Sequence, residues 1–227
     1  MAMKLNILKP SVNNMTVRVF VRAADLDFEE EDVWGSTTSD EYVAKYPAHL
    51  TPMIEDADLP RGTLGESCAI MAYLSNKHSL EQFYPSDPAQ RAVIDNANFY
   101  LIGTLYPLLT RATYPALGFP QYPGEVGTSE ADDAMKAKAV ADATEALAGP
   151  LDVYNTYFLA GKKFIGGDGP SIADFRFAAT LEFLRAIDYD LPAWGEEYLT
   201  RMEETLGEAY SEPAADVRGY IEYAKSQ

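Results

Sequence analysis

The stretch YPAHLTPMIEDADLPRGTLGESCAIMAYLSN, residues 46–76, decides how the N-terminal part of this chain folds. Thr51-Pro52 lies between two short apolar runs. A proline there cannot extend a hydrogen-bonded ladder but can, in cis, turn a strand end so that its neighbour's backbone amide faces outward. Glu66-Ser67 then opens the apolar-periodic run IMAYL, so the serine hydroxyl and the free amides of a helix start lie where a carboxylate is attracted. Together these features predict a site for a small peptide-like anion.

Short elements surround this stretch in the predicted order βαβαββα. Residues 4–8 form a strand, and residues 16–24 fit strand or helix by pattern but are assigned to a helix, because the acidic run 27–33 is a clearer strand. That run has the composition of an edge strand with one charged face. The remaining elements are a helix over 38–45 capped by Thr38 or Ser39, strands at Met53-Ile54 and Thr63-Leu64, and a helix from Ser67 to about Lys77.

The composition changes between residues 78 and 87, where Pro85 and Pro88 mark a connection and the entry to a new helix. We therefore expect one domain over residues 1–80 and an all-helical domain over residues 88–227. Its predicted helices are 88–113, 130–159 with a kink at Gly149-Pro150, 172–187, 194–206 and 214–224.

The composition excludes several classes of function. A net charge of -17 over 227 residues argues against a nucleic-acid or anionic-membrane surface. One cysteine, Cys68, excludes an internal disulfide and suits a reducing cytoplasm, and the two histidines give no metal-ligand spacing. No N-terminal apolar stretch has the length of a signal peptide, so the mature chain is expected to start near Met1. Small-molecule or protein partners remain.

Three motifs make the chain resemble the cytosolic glutathione transferases over essentially its whole length. They are Thr51-Pro52, ESCAIMAYL at residues 66–74, and GGDGPSIAD at residues 166–174. The third motif is also a capping box on physical grounds, since Ser171 can cap a helix while Asp174 bonds back to the Ser171 amide. The resemblance implies a thioredoxin-like βαβαββα domain followed by a helical bundle, with glutathione as co-substrate and no metal.

The resemblance also implies which residues hold glutathione. The Thr51 backbone, ahead of Pro52, would pair with the cysteinyl part of glutathione, and Glu66 and Ser67 would hold the γ-glutamyl group. His49 falls where delta-type relatives contact the glycine end, and an imidazole can donate to that carboxylate. Cys68 is interpreted as a small apolar residue rather than a redox centre.

The thiolate donor stays open between three residues. Residues 84–107 are similar to the theta, delta and epsilon group, a serine-type group in which a serine after strand one donates to the sulfur, and Ser11 stands at that position. The familiar Pro-Cys-Arg after this serine is replaced here by Asn-Asn-Met. Asn14 matches a bacterial and fungal pattern in which an asparagine contacts the sulfur, and Thr16 offers a hydroxyl within one turn. Ser11 and the asparagines are also residue types that simply cap helices.

The predicted activity is conjugation of glutathione to small apolar electrophiles such as epoxides and alkyl or aryl halides, as in detoxification. Peroxidase or disulfide-reductase activity and non-catalytic binding are the alternatives. The family also implies a homodimer, and the cytoplasm is the expected compartment. The electrophile pocket should lie between the domains, with a mostly apolar and aromatic wall. The residues expected to line it are Tyr106, Leu109, Arg111, Tyr114, Phe119 and Tyr122.

Overall fold

The computed structural model describes residues 3–119 and 132–227. Its N-terminal part is a thioredoxin-like βαβαββα unit, as the sequence predicts, and the elements described after it are all helices. The N-terminal elements are β1 (Met3–Ile7), α1 (Val12–Ala23), β2 (Phe28–Asp32), α2 (Asp40–Lys45), β3 (Met53–Glu55), β4 (Thr63–Gly65) and α3 (Ser67–Lys77). The segment that the sequence left ambiguous is therefore a helix.

The four strands form one mixed sheet in the order β2-β1-β3-β4. β1 pairs in parallel with β2 and antiparallel with β3, so the acidic strand β2 lies at an edge, as predicted. Because side chains alternate across a sheet, Leu5 and Ile54, which are register partners, enter the main core. Met53 faces the opposite way and packs with Tyr42 of α2 in a second, small core.

The helical part contains seven further α-helices within the described residues. They are α4 (Pro88–Tyr100), α5 (Tyr106–Leu117), α6 (Asp133–Ala146), α7 (Ala148–Val153), α8 (Ile172–Phe183), α9 (Ala193–Leu206) and α10 (Glu208–Lys225). Helix α8 is buried along its whole length, and α1 packs against both α8 and α10. Through these contacts the helical bundle and the sheet unit share one core.

Two wide helical turns modify the predicted long helices. A π-helical segment, Leu101–Leu105, joins α4 to α5, and a second one, Tyr154–Leu159, follows α7. Sequence periodicity does not show such turns, because a π-turn adds one residue without interrupting the helix. The predicted kink near Gly149-Pro150 corresponds to the break between α6 and α7 at Leu147.

Helix α10 begins at Glu208, six residues before the predicted start at 214. Pro213, which precedes the predicted start, lies inside the helix. A proline removes one backbone hydrogen bond there. The fully buried Tyr210 anchors the turn before it, through a hydrogen bond from its hydroxyl to Glu182 (3.0 Å). Tertiary packing therefore outweighs the local helix-breaking tendency.

The predicted capping box opens α8. Asp174 is fully buried and accepts the Ser171 amide at 2.8 Å and the Ser171 hydroxyl at 2.7 Å. Its carboxylate also accepts the amides of Ile165 and Gly166 and the hydroxyl of Tyr198. One carboxylate thus fastens the loop ahead of α8, the start of α8 and helix α9.

A buried arginine joins the sheet unit to the last helix. Arg18 on α1 is 2% exposed. Its guanidinium donates two hydrogen bonds to the Glu30 carboxylate of β2, at 2.8 and 3.1 Å, and one to Asp216 of α10 at 2.8 Å. Arg22, one turn later, donates to the same Glu30 at 2.6 Å and to Glu212. These ion pairs fix the position of α1, whose first turn faces the cavity described below.

Within the described ranges, no helix is both long and apolar enough to cross a membrane.

Candidate functional site

A cavity of about 460 Å³ opens beside the first turn of α1, where the two parts of the chain meet. The sheet unit contributes the loops after β1 and β2 and the segment before β3, and the helical part contributes the end of α5 and the middle of α10. The residues that line it are Leu8, Pro10, Ser11, Asn13, Trp34, Gly35, Thr37, His49, Leu50, Thr51, Tyr114, Gly118, Phe119 and Tyr220. It therefore combines predicted glutathione contacts with predicted electrophile contacts.

Ser11 lines this cavity, and its hydroxyl has no hydrogen-bond partner among the described residues. It occupies the N-cap position of α1, yet its side chain makes no capping hydrogen bond. N-cap serines ordinarily accept an amide of the first turn through that oxygen. The first helical bond runs from the Met15 amide to the Ser11 carbonyl, so the amides before Met15 have no helical acceptor. A free hydroxyl and the positive end of a helix thus meet at one wall, an arrangement suited to an anion.

His49 and Thr51 form the facing wall. The Thr51-Pro52 peptide bond is cis, as the sequence predicts, and Thr51 is half-buried. His49 is exposed and has a positive φ of 46°. The hydroxyl of Tyr42 donates to the Leu50 carbonyl at 2.8 Å and so fixes this loop from the side of α2. Because burial withdraws the phenol from water, the pKa of Tyr42 rises to about 12, which keeps this donor protonated.

Asn14 and Thr16 lie outside the cavity lining. Both are completely buried within α1. The Thr16 hydroxyl donates to the Val12 carbonyl at 2.8 Å inside its own helix, so it does not face the cavity. The Asn14 amide donates to the Thr51 hydroxyl at 3.0 Å, across from α1 to the segment before β3. Of the three candidate thiolate donors, only Ser11 lines the cavity.

Glu66 and Ser67 lie at the start of α3, beyond the lining of this cavity. Glu66 is exposed, takes the N-cap position and has φ 67° and ψ 114°, a region that non-glycine residues rarely occupy. Such a conformation costs about 1–3 kcal/mol and is typical of ligand sites. Ser67 is 6% exposed. The exposed Glu66 thus presents its carboxylate on the surface at the start of α3.

The predicted electrophile residues separate into distinct groups. Tyr114 and Phe119 line the cavity, with ring centroids 5.4 Å apart. Tyr106 lies behind them, where its hydroxyl accepts the Asn13 amide at 2.7 Å and bonds the Tyr114 hydroxyl at 3.0 Å.

Leu109 is completely buried in the core, because it faces the opposite side of α5. Arg111 is half-buried and does not line the cavity, and Tyr122 falls outside the described residues.

Two aromatic residues of the cavity were missed by the sequence analysis. Trp34, in the loop after β2, is 55% exposed and lies 5.9 Å from Tyr220 of α10 between ring centroids. Tyr220 stacks on Phe119 at 5.4 Å and donates to the Leu117 carbonyl. The exposed tryptophan in a glycine-containing loop was the one local signal that could have identified this wall.

Cys68 is half-buried on α3 and is the free cysteine of the chain. Burial raises the pKa of its thiol, although the nearby Arg176 charge acts in the opposite direction. A raised pKa keeps the thiol protonated and poorly nucleophilic. This matches its interpretation as a packing residue.

Comparison with known proteins identifies two consecutive family domains. A model described as glutathione S-transferase, N-terminal domain, matches residues 8–82, and one described as glutathione S-transferase, C-terminal domain, matches residues 137–211. Together they span about two thirds of the chain.

Individual relatives agree with these matches. Glutathione S-transferase D6 of Drosophila melanogaster is 26% identical over 193 residues, which is 83% of this chain and 80% of the relative. Glutathione S-transferase theta-3 of Mus musculus is 28% identical over 193 residues, covering 81% of this chain and 73% of the relative. The structure of human glutathione-S-transferase T1-1 superimposes with a TM-score of 0.79 at 25% identity, covering 99% of this chain and 91% of that one.

Proposed function

Because this chain belongs to the glutathione S-transferase superfamily and is a glutathione transferase, we propose that it conjugates glutathione to small apolar electrophiles at the cavity beside α1. The proposed substrates are epoxides and alkyl or aryl halides. The observation that carries the proposal is the composition of the cavity, where the unused Ser11 hydroxyl faces the aromatic wall of Trp34, Tyr114, Phe119 and Tyr220. A thiolate held at Ser11 would thus lie next to a surface for flat apolar molecules.

The chemistry follows from these positions. The glutathione thiol loses its proton to water, and the thiolate accepts a hydrogen bond from the Ser11 hydroxyl at the positive end of α1. The sulfur then attacks the electrophilic carbon. A carbon–sulfur bond forms while the carbon–halogen bond, or one carbon–oxygen bond of an epoxide, breaks. The leaving halide enters solvent, and an epoxide alkoxide takes a proton from water. Holding both reactants in one cavity supplies proximity.

The ends of glutathione would be held outside the reacting centre. The exposed His49 imidazole is assigned to the glycine carboxylate, and the Thr51 backbone to the cysteinyl part. Glu66, Ser67 and the first amides of α3 are assigned to the γ-glutamyl group. The strained conformation of Glu66 supports this assignment, because strained residues cluster at ligand sites. Since glutathione is the main cytoplasmic thiol buffer, the proposal places the protein in the cytoplasm, where it would remove reactive apolar compounds.

Substituting Ser11 by alanine tests the proposal. We expect Ser11→Ala to lower kcat/KM roughly tenfold to a hundredfold with an aryl halide, because a hydrogen bond to a charged group contributes about 1.5–3 kcal/mol. The pH at which the rate rises should also move upward, since the thiolate loses a donor. Conjugation of an aryl halide, an alkyl halide and a styrene-type epoxide is measured for wild type and variant. Thr16→Ala serves as comparison, because it removes a hydroxyl of α1 that faces its own helix. Unchanged turnover in Ser11→Ala would exclude the serine mechanism, and glutathione binding without any turnover by wild type would exclude catalysis.

We also propose that the protein is a homodimer that uses the outer face of α4. Phe99 and Ile102, three residues apart, are 70% and 42% exposed at the end of α4 and in its continuation. Such adjacent exposed apolar side chains are typical of a protein interface. At a charge of -17 per chain, an apolar contact also avoids the repulsion between copies.

Placing a charge on this face should separate the subunits. Phe99→Glu is expected to weaken dimerisation at least tenfold, because a carboxylate buried without a partner is strongly unfavourable. Sedimentation equilibrium measures the dissociation constant. Met135→Glu on α6, which also replaces an exposed apolar side chain, is the matched control and should leave the constant unchanged. A monomeric wild type, or equal effects of the two variants, would contradict this interface.

A further inference from the structure

The side chains of Asn14 and Thr51 form a contact that the proposed chemistry above does not use. The Asn14 amide nitrogen donates to the Thr51 hydroxyl oxygen at 3.0 Å. Asn14 is completely buried, and its carbonyl oxygen has no partner among the described residues. A buried polar atom without a partner is unfavourable and uncommon in native proteins. An apolar residue at this position would avoid it, so the retained amide calls for a functional reason.

The direction of this hydrogen bond determines what the Thr51 hydroxyl can do. A hydroxyl carries one hydrogen and two lone pairs, and here one lone pair is occupied by the Asn14 amide. No described residue accepts the hydroxyl hydrogen of Thr51, which itself lines the cavity. The hydrogen is therefore available to an acceptor inside the cavity. The Asn13 amide, which also lines the cavity, uses one of its two hydrogens on the Tyr106 hydroxyl at 2.7 Å.

We propose that the Thr51 hydroxyl is a second donor to the glutathione thiolate, and that buried Asn14 is the positioning residue that turns it toward the sulfur. This inference rests on the proposed function. It adds a catalytic group on the segment before β3 to Ser11 on α1, so that the sulfur is held from both sides. Asn14 acts only through Thr51 and does not touch glutathione.

The test measures the pKa of the bound glutathione thiol by the ultraviolet absorbance of its thiolate, together with the pH profile of kcat/KM. Thr51→Val, which keeps the shape and removes the hydroxyl, should raise that pKa by about one pH unit and lower the rate about tenfold below it. KM for glutathione should change less than twofold, because the Thr51 backbone is intact. Thr51→Ser should restore the wild-type pKa.

Asn14 variants test the positioning. Asn14→Ala should raise the thiol pKa in the same direction, but it should add nothing to Thr51→Val in the double variant. Asn14→Leu, of nearly the same size, can neither donate nor accept a hydrogen bond, so it should raise the thiol pKa about as much as Asn14→Ala. Thr110→Val removes a buried hydroxyl of α5 that bonds its own helix, and is the control expected to behave as wild type.

The outcomes separate this inference from the proposed function. The titratable side chains among the described lining residues are His49, Tyr114 and Tyr220, and all are present in every variant. An unchanged thiol pKa in Thr51→Val, with Ser11→Ala still impaired, would overturn only the second donor. Additive effects of Asn14→Ala and Thr51→Val would overturn the positioning role. Failure of wild type to bind glutathione would overturn both proposals.

Discussion

Replacing Asp174 by alanine is expected to lower the free energy of unfolding by about 4 kcal/mol. The carboxylate is fully buried and accepts three backbone amides and two hydroxyls, from Ile165, Gly166, Ser171 and Tyr198. Alanine would leave several of these donors buried without an acceptor, and each such group costs about 1–3 kcal/mol. Urea denaturation at neutral pH measures the change.

Two variants in the segment just before α8 serve as comparisons for Asp174→Ala. Ser171→Ala removes one hydroxyl and should cost about 1 kcal/mol, the usual size of a cap substitution. Asp168→Ala removes an exposed carboxylate six residues earlier and should stay within about 0.5 kcal/mol of wild type. If Asp174→Ala were no more destabilising than Ser171→Ala, the carboxylate would not be the centre of this network.

Substituting Arg18 by methionine should lower the free energy of unfolding by about 3 kcal/mol. Arg18 joins Glu30 of β2 to Asp216 of α10, and breaking a buried pair typically costs about 3–5 kcal/mol. Because Arg22 still compensates Glu30 in the variant, the low end of this range is expected. Methionine keeps most of the packing, so the loss reports mainly the charge. Lys138→Met breaks an exposed pair with Asp142 on α6 and is the control, with an expected change under about 0.5 kcal/mol.

The effect of Arg18→Met should also depend on pH. Burial by itself would raise the pKa of Glu30, but hydrogen bonds and charge from Arg18 and Arg22 outweigh it and hold the pKa below its usual 4.5. A depressed carboxylate pKa stabilises the fold above the unfolded value and loses that contribution as pH falls through the folded value. Wild type and variant should therefore converge in stability as the pH drops below about 4.5. A constant difference across this range would show that Glu30 is not the group involved.

Most of the fold could be predicted because its signals are local. The capping box at Ser171 and Asp174, the period-two pattern of β1 and the proline at the start of α4 each depend on neighbouring residues. The early start of α10 could not be predicted, since Pro213 is a local stop signal and the packing of Tyr210 that overrides it comes from α8, about thirty residues away. The same holds for the π-turns, which packing selects over a regular helix.

The lining of the candidate cavity could be predicted only where a single local motif points to it. Ser11 and Thr51 follow from motifs. A motif cannot show that the Ser11 hydroxyl makes no capping hydrogen bond, or that the Asn14 amide donates to the Thr51 hydroxyl. Helical spacing likewise could not separate Tyr114, which lines the cavity, from Leu109, which is buried in the core. Trp34 and Tyr220 are far apart in the sequence and meet only in the folded chain, where Arg18 also links β2 to α10.

The acidic edge strand β2 has a consequence for the behaviour of the protein in solution. An edge strand leaves unpaired backbone groups that a strand of another molecule can join, which is a common route to aggregation. Four of the five residues of β2 are acidic, FEEED, and within the described part of the chain this strand pairs only with β1. Glu30 is paired with Arg18 and Arg22, and Glu31 with Lys4, so two such edges approaching each other would bring together mainly the carboxylates of Glu29 and Asp32 from each copy. The charged strand thereby opposes aggregation through pairing of β2 strands from different molecules. This protection should weaken in acid, where the carboxylates are neutralised, and in high salt, where their charges are screened.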